Sequence, residues 1–363
     1  MKILSIVSTR PEIIKMAPVI REVEKRGLDH VFVATGQHYD FLLFDKILED
    51  LALPKPDYNL TIGSGTPGLQ IGLGMLLIEK VLDKEKPNIV LSQGDTNSVL
   101  AAALAAHKNH YSFGHVEAGL RNYNFWMPEE SNRRLTDHIS NYLFAPTELS
   151  KENLLKENIP EDWIFVTGNT VVDAVLQHLP IAEKKSDIMK NMPFTKREYI
   201  LVTYHRAENT TKENLKKFMD IIEELSKRGH TIVYPIHPRT KALSKQYGWL
   251  TKFENTPNLV LIEPLGYLDF LMVMKNAKLV LTDSGGLQEE GTVLGVPILV
   301  MRESTERPEA LGKGCELVGL NKDKILSLVE TPPKPADKSP FGDGKASKRI
   351  VDILMNTQWR EHR

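Results

Sequence analysis

Three groups of residues in this sequence have the types and spacing to act on a phosphorylated substrate. The first is Asp283-Ser284-Gly285-Gly286, which follows an apolar run and opens a helical pattern. Bare glycine amides and a serine hydroxyl at the positive end of a helix make a phosphate site. Glu290 falls roughly 9 Å further along that helix at 1.5 Å per residue, about the distance from a diphosphate to its ribose, where a carboxylate accepts from two hydroxyls. The second group is cationic, with Arg10 in Thr9-Arg10-Pro11-Glu12 and Lys15 about one turn later. Thr9, Pro11 and Glu12 have the chemistry of a capping box. Arg10 is a cation where the helix macrodipole disfavours one, and a bound anion removes that conflict. The third group is acidic: Asp95, Glu117, and the pair Glu129-Glu130 behind Pro128. One acid of that pair complements a helix N-terminus; the remaining carboxylates suit acid/base work on a nucleotide-linked substrate.

Most of these residues sit just past a short apolar run that reads as a strand, while Glu129-Glu130 opens a helix behind Pro128. In the first half these runs are Lys2 to Ser8, His30 to Thr35, Asn88 to Ser92, Ser112 to Val116, Asn141 to Ala145 and Trp163 to Thr167. The second half restarts with Tyr199 to Thr203, Thr231 to Ile236, Asn258 to Ile262, Lys278 to Thr282 and Val296 to Val300. Helical patterns alternate with them, as in βαβ units around buried parallel sheets. Ligands bind outside the carboxyl ends of such sheets. The residues there are Arg10, Gln93-Gly94-Asp95-Thr96, Glu117 to Arg121, His205-Arg206, His237-Pro238-Arg239 and Asp283 to Gly286. The expected fold is α/β, two doubly wound Rossmann-like domains facing a cleft.

Length points the same way, because 363 residues exceed the roughly 250–300 at which a single core stops growing. The charged stretch from Ile181 to Arg197 reads as a linker, and the proline-rich stretch from Thr331 to Gly344 as a second break before a C-terminal amphipathic helix. That helix is expected to return to the first domain, giving residues 1–172 plus 347–363 against 173–346. Lys and Arg total 46 against 47 Asp and Glu, a net charge of -1, so nothing favours nucleic acid or an anionic membrane. Any anionic ligand must be held by local groups. The single cysteine, Cys315, reads as a small core residue. No apolar run reaches the ~20 residues of a spanning helix, and the N-terminus lacks the form of a signal peptide, so a cytoplasmic location is expected. His107, His110 and His115 lack metal-ligand spacing and read as surface or packing residues. The glycine loop is neither a Gly-x-Gly-x-x-Gly nor a Walker loop, which argues against NAD and ATP.

Taken in order, seven stretches resemble the motifs of the non-hydrolysing UDP-N-acetylglucosamine 2-epimerases: Ser8 to Pro18, Gln93 to Thr96, His115 to Arg121, Pro128 to Arg133, Val166 to Asn169, Leu281 to Glu290 and Thr305 to Ala310. The resemblance implies a GT-B type fold, a homodimer, and interconversion of UDP-N-acetylglucosamine and UDP-N-acetylmannosamine without metal or NAD. It places UDP mainly on the second domain, with Ser284, Gly285 and Gly286 at the diphosphate, Glu290 at the ribose and Phe270 near the uracil. His205, His237 and Arg307 would surround the phosphates, with Arg10 and Lys15 reaching in from the first domain. Asp95, Glu117 and Glu129 match the family's catalytic carboxylates, and His205 is counted with them. The chain departs from the bacterial members that take a second UDP-N-acetylglucosamine as activator: it has Gln37-His38-Tyr39-Asp40 and, further on, no matching arginine in Ile62 to Gly68. Three rivals stay open at this point: a GT-B glycosyltransferase, a hydrolysing epimerase that releases the free sugar, and a non-catalytic UDP-sugar sensor with no use for the three acids.

Overall fold

Valine, isoleucine and leucine fill the short runs, and most strand residues are buried on both faces, as a parallel sheet covered by helices requires. The computed structural model describes residues 1–36, 41–193, 197–206 and 209–356, with 41–43 as backbone. The stretch Gln37 to Asp40 lies outside the described residues. The chain divides into two units, Met1–Ala174 with Phe341–Arg363, and Val175–Pro340.

The first unit runs β1 (Lys2–Val7), α1 (Arg10–Lys25), β2 (Asp29–Ala34), α2 (Phe41–Asp50), β3 (Tyr58–Asn59), α3 (Pro67–Glu85), β4 (Ile89–Gln93), α4 (Asn97–Lys108), β5 (Ser112–Val116), α5 (Pro128–His138), β6 (Tyr142–Ala145), α6 (Glu148–Lys156), β7 (Ile164–Val166) and the start of α7 (Thr170–Lys185). Its strands form one sheet in the order β3-β2-β1-β4-β5-β6-β7, with every pairing parallel. Leu4, Ile6, Val31, Val33, Val90 and Phe113 pack with the alanines of α4 on one side.

The second unit runs β8 (Tyr199–Thr203), α8 (Lys212–Lys227), β9 (Thr231–Pro235), α9 (Pro238–Gln246), α10 (Leu250–Glu254), β10 (Leu259–Ile262), α11 (Tyr267–Lys275), β11 (Leu279–Thr282), α12 (Gly286–Leu294), β12 (Ile298–Val300), β13 (Cys315–Leu317) and α13 (Lys322–Glu330). Its sheet has the order β10-β9-β8-β11-β12-β13, again parallel. Tyr204, Phe218, Tyr234 and Phe253 are fully buried in its core, with the Tyr204 and Phe218 rings stacked 4.3 Å apart.

Both sheets therefore reverse direction at their first strand. The crevice beyond the carboxyl ends of β1 and β4, and its counterpart at β8 and β11, are the switch points where doubly wound folds bind ligands. The last helix, α14 (Ala346–Asn356), packs on α1 of the first unit. Its N-terminal amides, at Ala346 and Ser347, donate to Asp173 at 3.1 and 2.9 Å, and Arg26 donates to Asp352 at 2.7 Å.

Two expectations need correction. Residues 181–185 belong to α7 and are not linker: Val171, Val175, His178 and Ala182 keep a buried face at helical spacing, which carries the helix through Pro180. Two edge strands, β3 and β13, went unread because two or three residues are too few to show alternation. Cys315 is buried as expected, and burial pushes its thiol up to about 12. Among the described residues, no helix is long and apolar enough to cross a membrane.

Candidate active site residues in each unit

In the first unit the polar residues gather where β1, β4 and β5 end. Glu12 accepts from the Ser8 and Thr9 amides at 2.6 and 3.3 Å, closing the first turn of α1. Burial pushes its carboxyl up from the ordinary value against hydrogen bonds from Thr96, Ser8 and Thr9. This turn presents half-buried Arg10 as the first residue of α1. Lys15, one turn on, is buried and points to Glu117, with its Nζ 2.6 Å from Glu117 Oε2.

Glu117 follows β5 with φ 73°, a left-handed conformation that costs a non-glycine residue roughly 1–3 kcal/mol and clusters at functional sites. Oε2 of this carboxylate also accepts from Gln93 Nε2 at 2.9 Å and Asn169 Nδ2 at 3.3 Å. Gln93 ends β4, and Asn169 sits in the turn before α7, so three segments converge on one oxygen. Asp95 lies two residues past β4. Its carboxylate accepts from Arg133 Nε at 3.1 Å, and Asn132 Nδ2 donates to its backbone carbonyl at 3.0 Å.

The acid pair on α5 separates into two environments. Glu130 is fully buried and accepts from the Asn122 and Tyr123 amides at 2.9 and 3.1 Å and from Arg133 at 2.6 Å. Glu129, its neighbour in the first turn, is exposed. The structural acid is thus Glu130, and Glu129 is the one presented to solvent.

In the second unit, the ends of β8 and β11 are tied together by Asp283. Its Oδ2 accepts from the His205 and Arg206 amides at 2.9 and 2.8 Å and from Asn209 Nδ2 at 3.2 Å, while Oδ1 lies 3.1 Å from His205 Nδ1. Burial raises this carboxyl, but His205 and the two amides outweigh burial and hold it below the ordinary range. His205 is thereby oriented through Nδ1. Its ring stacks at 5.3 Å on His237, the N-cap of α9. His237 Nδ1 accepts from the Arg239 amide at 3.2 Å, which leaves the proton of a neutral ring on Nε2. Burial first, then His205 and Arg239, push the His237 imidazole below its usual value.

Ser284 is half-buried, and its amide donates to Thr282 at 2.9 Å. Gly285 is the N-cap of α12 and Gly286 its first residue. A Cβ on Gly285 would stand 2.5 Å from Glu306 and 2.7 Å from the Arg307 guanidinium, whereas one on Gly286 would meet nothing within 4 Å. The helix end therefore has a guanidinium packed against one glycine and open space over the next. Arg307 is buried and paired with Glu306 at 2.5 Å and Glu289 at 3.0 Å. Glu306 also holds Arg302 at 2.9 Å and lies 3.8 Å from Arg206. Glu289 is fully buried against Arg307, while Glu290, fifth in α12, lies nearer the surface. Phe270 is half-buried in the first turns of α11.

Of the residues singled out, the first unit brings together Arg10, Lys15, Asp95 and Glu117, and the second His205, His237, Ser284, Gly285, Gly286 and Arg307. Sequence reasoning missed what holds them: Gln93 and Asn169 on Glu117, Arg133 on Asp95, Asp283 on His205, and Glu289, Glu306 and Arg302 around Arg307. Most of these stood inside the motifs, and their polarity at strand ends was the available signal.

Two parallel sheets of the 3-2-1-4-5-6 winding, each with its polar cluster at the switch point, make this a two-domain Rossmann-like protein of the GT-B type. Residues 21–355 match the family model for UDP-N-acetylglucosamine 2-epimerase. A UDP-N-acetylglucosamine 2-epimerase of Methanocaldococcus jannaschii is 51% identical over 361 residues, which is 98% of this chain and 99% of that protein. The crystal structure of the M. jannaschii UDP-GlcNAc 2-epimerase with UDP-GlcNAc and UDP aligns with TM-score 0.92 at 50% identity, covering 98% of this chain and 100% of that one. The Neisseria meningitidis UDP-GlcNAc 2-epimerase bound to UDP-GlcNAc aligns with TM-score 0.91 at 39% identity over the same shares. This chain belongs to the UDP-N-acetylglucosamine 2-epimerase family.

Proposed function

We propose that this protein inverts C2 of UDP-N-acetylglucosamine to give UDP-N-acetylmannosamine, by eliminating UDP to 2-acetamidoglucal and adding it back. The carrying observation is the pair of carboxylates at the first switch point, Glu117 buried against Lys15 and half-buried Asp95 paired with Arg133. The bound UDP-GlcNAc in the M. jannaschii and N. meningitidis relatives supports the substrate.

C2 of the sugar carries an N-acetyl group and has no adjacent carbonyl, so its proton is too weakly acidic for direct removal. Cleavage of the bond from C1 to the phosphate oxygen must lead, with its electron pair leaving on UDP and positive charge developing at C1. Cations and helix amides at the diphosphate stabilise the leaving group, and a carboxylate facing the ring stabilises the oxocarbenium character. A carboxylate then takes the C2 proton, the C1–C2 double bond forms, and protonation on the opposite face with return of UDP gives the epimer. The departing group is activated by charge and hydrogen bonds alone, so the scheme calls on neither a metal nor NAD.

On this reading the second unit holds UDP. Ser284, Gly285 and Gly286 take the diphosphate, Glu290 the ribose and Phe270 the uracil, with His205, His237 and Arg307 around the phosphates. The first unit supplies Asp95, Glu117 and Glu129 as acid/base groups, with Arg10 for charge. Lys15 both adds positive charge and holds the Glu117 carboxylate in place. His205, oriented by Asp283, presents its Nε2 as a further proton-handling group.

The experiment is turnover of UDP-N-acetylglucosamine alone in D2O. UDP-N-acetylmannosamine carrying deuterium at C2 is expected. Product without solvent label sinks the elimination route, and free N-acetylmannosamine with UDP means hydrolysis instead.

We also propose a homodimer built on α3. Leu69 and Leu76 on this helix are 61% and 51% exposed, and Gly72 between them has open space above it. The result is a flat apolar strip that a second copy of the helix would cover. Leu76→Glu is expected to reduce the mass seen by light scattering from twice that of the chain to that of the chain. A parent that is already monomeric, or a variant that stays dimeric, removes α3 as the interface.

A further inference from the structure

We propose that His115 is an imidazolium, protonated on both ring nitrogens, and that it positions Asp95 by holding the Gly94 carbonyl. The positioning half rests on the epimerase reading; the charge state does not. His115 lies in β5, fully buried, and both nitrogens are engaged. Nε2 is 2.8 Å from the Gly94 carbonyl oxygen, which can only accept, so Nε2 bears a proton. Nδ1 is 2.6 Å from Asp137 Oδ1. Oδ2 of the same carboxylate accepts from Arg121 Nη1 at 2.7 Å and from the Gly119 amide at 3.2 Å. Arg121 and the Gly119 amide favour the ionised form of Asp137, and an ionised carboxylate only accepts, so Nδ1 bears a proton as well. Burial alone would raise the Asp137 carboxyl, but His115 and Arg121 outweigh it and hold the group below its ordinary value.

Arg121 extends from the turn after β5 and makes a two-pronged contact with Glu157, just past α6, at 2.9 and 2.7 Å. From α5, Arg134 and His138 approach the same Glu157 at 3.3 and 3.4 Å. His115, Arg121 and Asp137 are buried, and Glu157, half-buried, is shared by Arg121 and Arg134. Removing the ring proton would set the Nδ1 lone pair 2.6 Å from the Asp137 carboxylate and leave Asp137 short of a donor, which a low-dielectric site penalises.

The consequence falls on the loop after β4. Gly94 has φ 90°, open to glycine but not to residues with a side chain. Its amide donates to the Val116 carbonyl at 3.1 Å and its carbonyl accepts from His115, so β5 grips this residue on both sides. Asp95 follows immediately, its own carbonyl held by Asn132. His115 fixes one end of the Asp95 backbone without contacting the reacting sugar, which makes it a positioning residue rather than a catalytic one.

The charge is read from 15N-histidine-labelled full-length protein at pH 7, with the His115 signals assigned by their loss in His115→Gln. Both ring nitrogens are expected in the protonated range, and an unprotonated nitrogen at His115 overturns the imidazolium. The positioning role is read from kinetics. His115→Leu is expected to lower kcat about tenfold, less than the hundredfold that a full 1 Å misplacement can cost, while KM and UDP affinity stay within twofold. His115→Gln, which keeps an amide donor for Gly94, should recover part of the loss. An unchanged kcat in His115→Leu, or parallel losses in kcat and UDP affinity that Gln does not relieve, overturns it. Should neither variant yield folded protein, the spectrum of the parent still decides the charge, and a long Gly94 amide exchange lifetime in the parent is required of the clamp. Inactivity of the parent itself counts against the epimerase reading, and the nitrogen signals then decide the charge of His115 independently of turnover.

Discussion

Asp95→Asn and Glu117→Gln are each expected to lower kcat by about 10³-fold, roughly 4 kcal/mol of transition-state stabilisation at 1.36 kcal/mol per factor of ten, while UDP binds the variants as it binds the parent. Both changes keep the shape of the side chain and one oxygen that still accepts from its partners; Glu117→Gln also unpairs the buried Lys15 charge and so should lower the melting temperature as well. They remove the negative charge that faces the developing cation and the basic oxygen that takes the C2 proton. The retained UDP affinity follows from the separation of tasks, because the proposed ribose and base contacts, and all those to the diphosphate except Arg10 and Lys15, lie in the other unit. Glu129→Gln should behave like them, since Glu129 is exposed on the first turn of α5 and its loss disturbs no buried network. Glu130→Gln should not. Its carboxylate is buried under two backbone amides and Arg133, so its loss appears first in melting temperature. Turnover within threefold of the parent in both Asp95→Asn and Glu117→Gln would remove them from the mechanism, and a matching collapse of UDP affinity would show that the division of tasks is wrong.

The alternation of short apolar runs with helical patterns made the two doubly wound sheets readable, because strands buried on both faces leave little room for polar residues until they end. That constraint also marks the sites. Arg10, Asp95, Glu117, His205 and Ser284 all stand within three residues of a strand's end, where polarity is both permitted and useful. What the chain could not reveal was which member of an acidic pair looks inward. Glu129 and Glu130 differ by about 100° around α5, as do Glu289 and Glu290 around α12, and only the position of an arginine decides. In α5 that arginine is Arg133, one turn on; in α12 it is Arg307, far along the chain. The role of Lys15 was hidden for a similar reason: its partner Glu117 is 102 residues away, and nothing local distinguishes a cation aimed at a carboxylate from one awaiting a phosphate. The His115 network likewise joins residues from the loop after β4, β5 and the turn beyond it, α5 and the end of α6, so His115 in isolation looked like a packing residue.

Arg307→Ala is the variant with the largest expected effect on the second unit, and it should act twice. Arg307 packs against Gly285 at the start of α12, where the UDP diphosphate is proposed to bind, so its loss is expected to weaken UDP binding by about 100-fold, within the 2–5 kcal/mol typical of truncating a buried charge partner. The same guanidinium neutralises Glu289 and Glu306, both buried. Removing one member of a buried ion pair costs about 3–5 kcal/mol because the other is left uncompensated. Arg302 still serves Glu306, so the lower end applies. At about 2–4 °C per kcal/mol for a domain of this size, the melting temperature should fall by roughly 6–12 °C. Arg307→Lys separates the two effects: it restores a positive charge to the carboxylates and so recovers most of the stability. It cannot reproduce a planar fork that reaches Glu289 and Glu306 while facing the diphosphate, so UDP binding stays weak. Calorimetric titration of UDP alongside thermal unfolding reads both. If Arg307→Ala melts like the parent and binds UDP equally well, then neither the buried pairing nor the phosphate role holds; a stability loss with normal UDP affinity would confine Arg307 to the internal ion network and move the diphosphate contact to His205, His237 and the Ser284 loop.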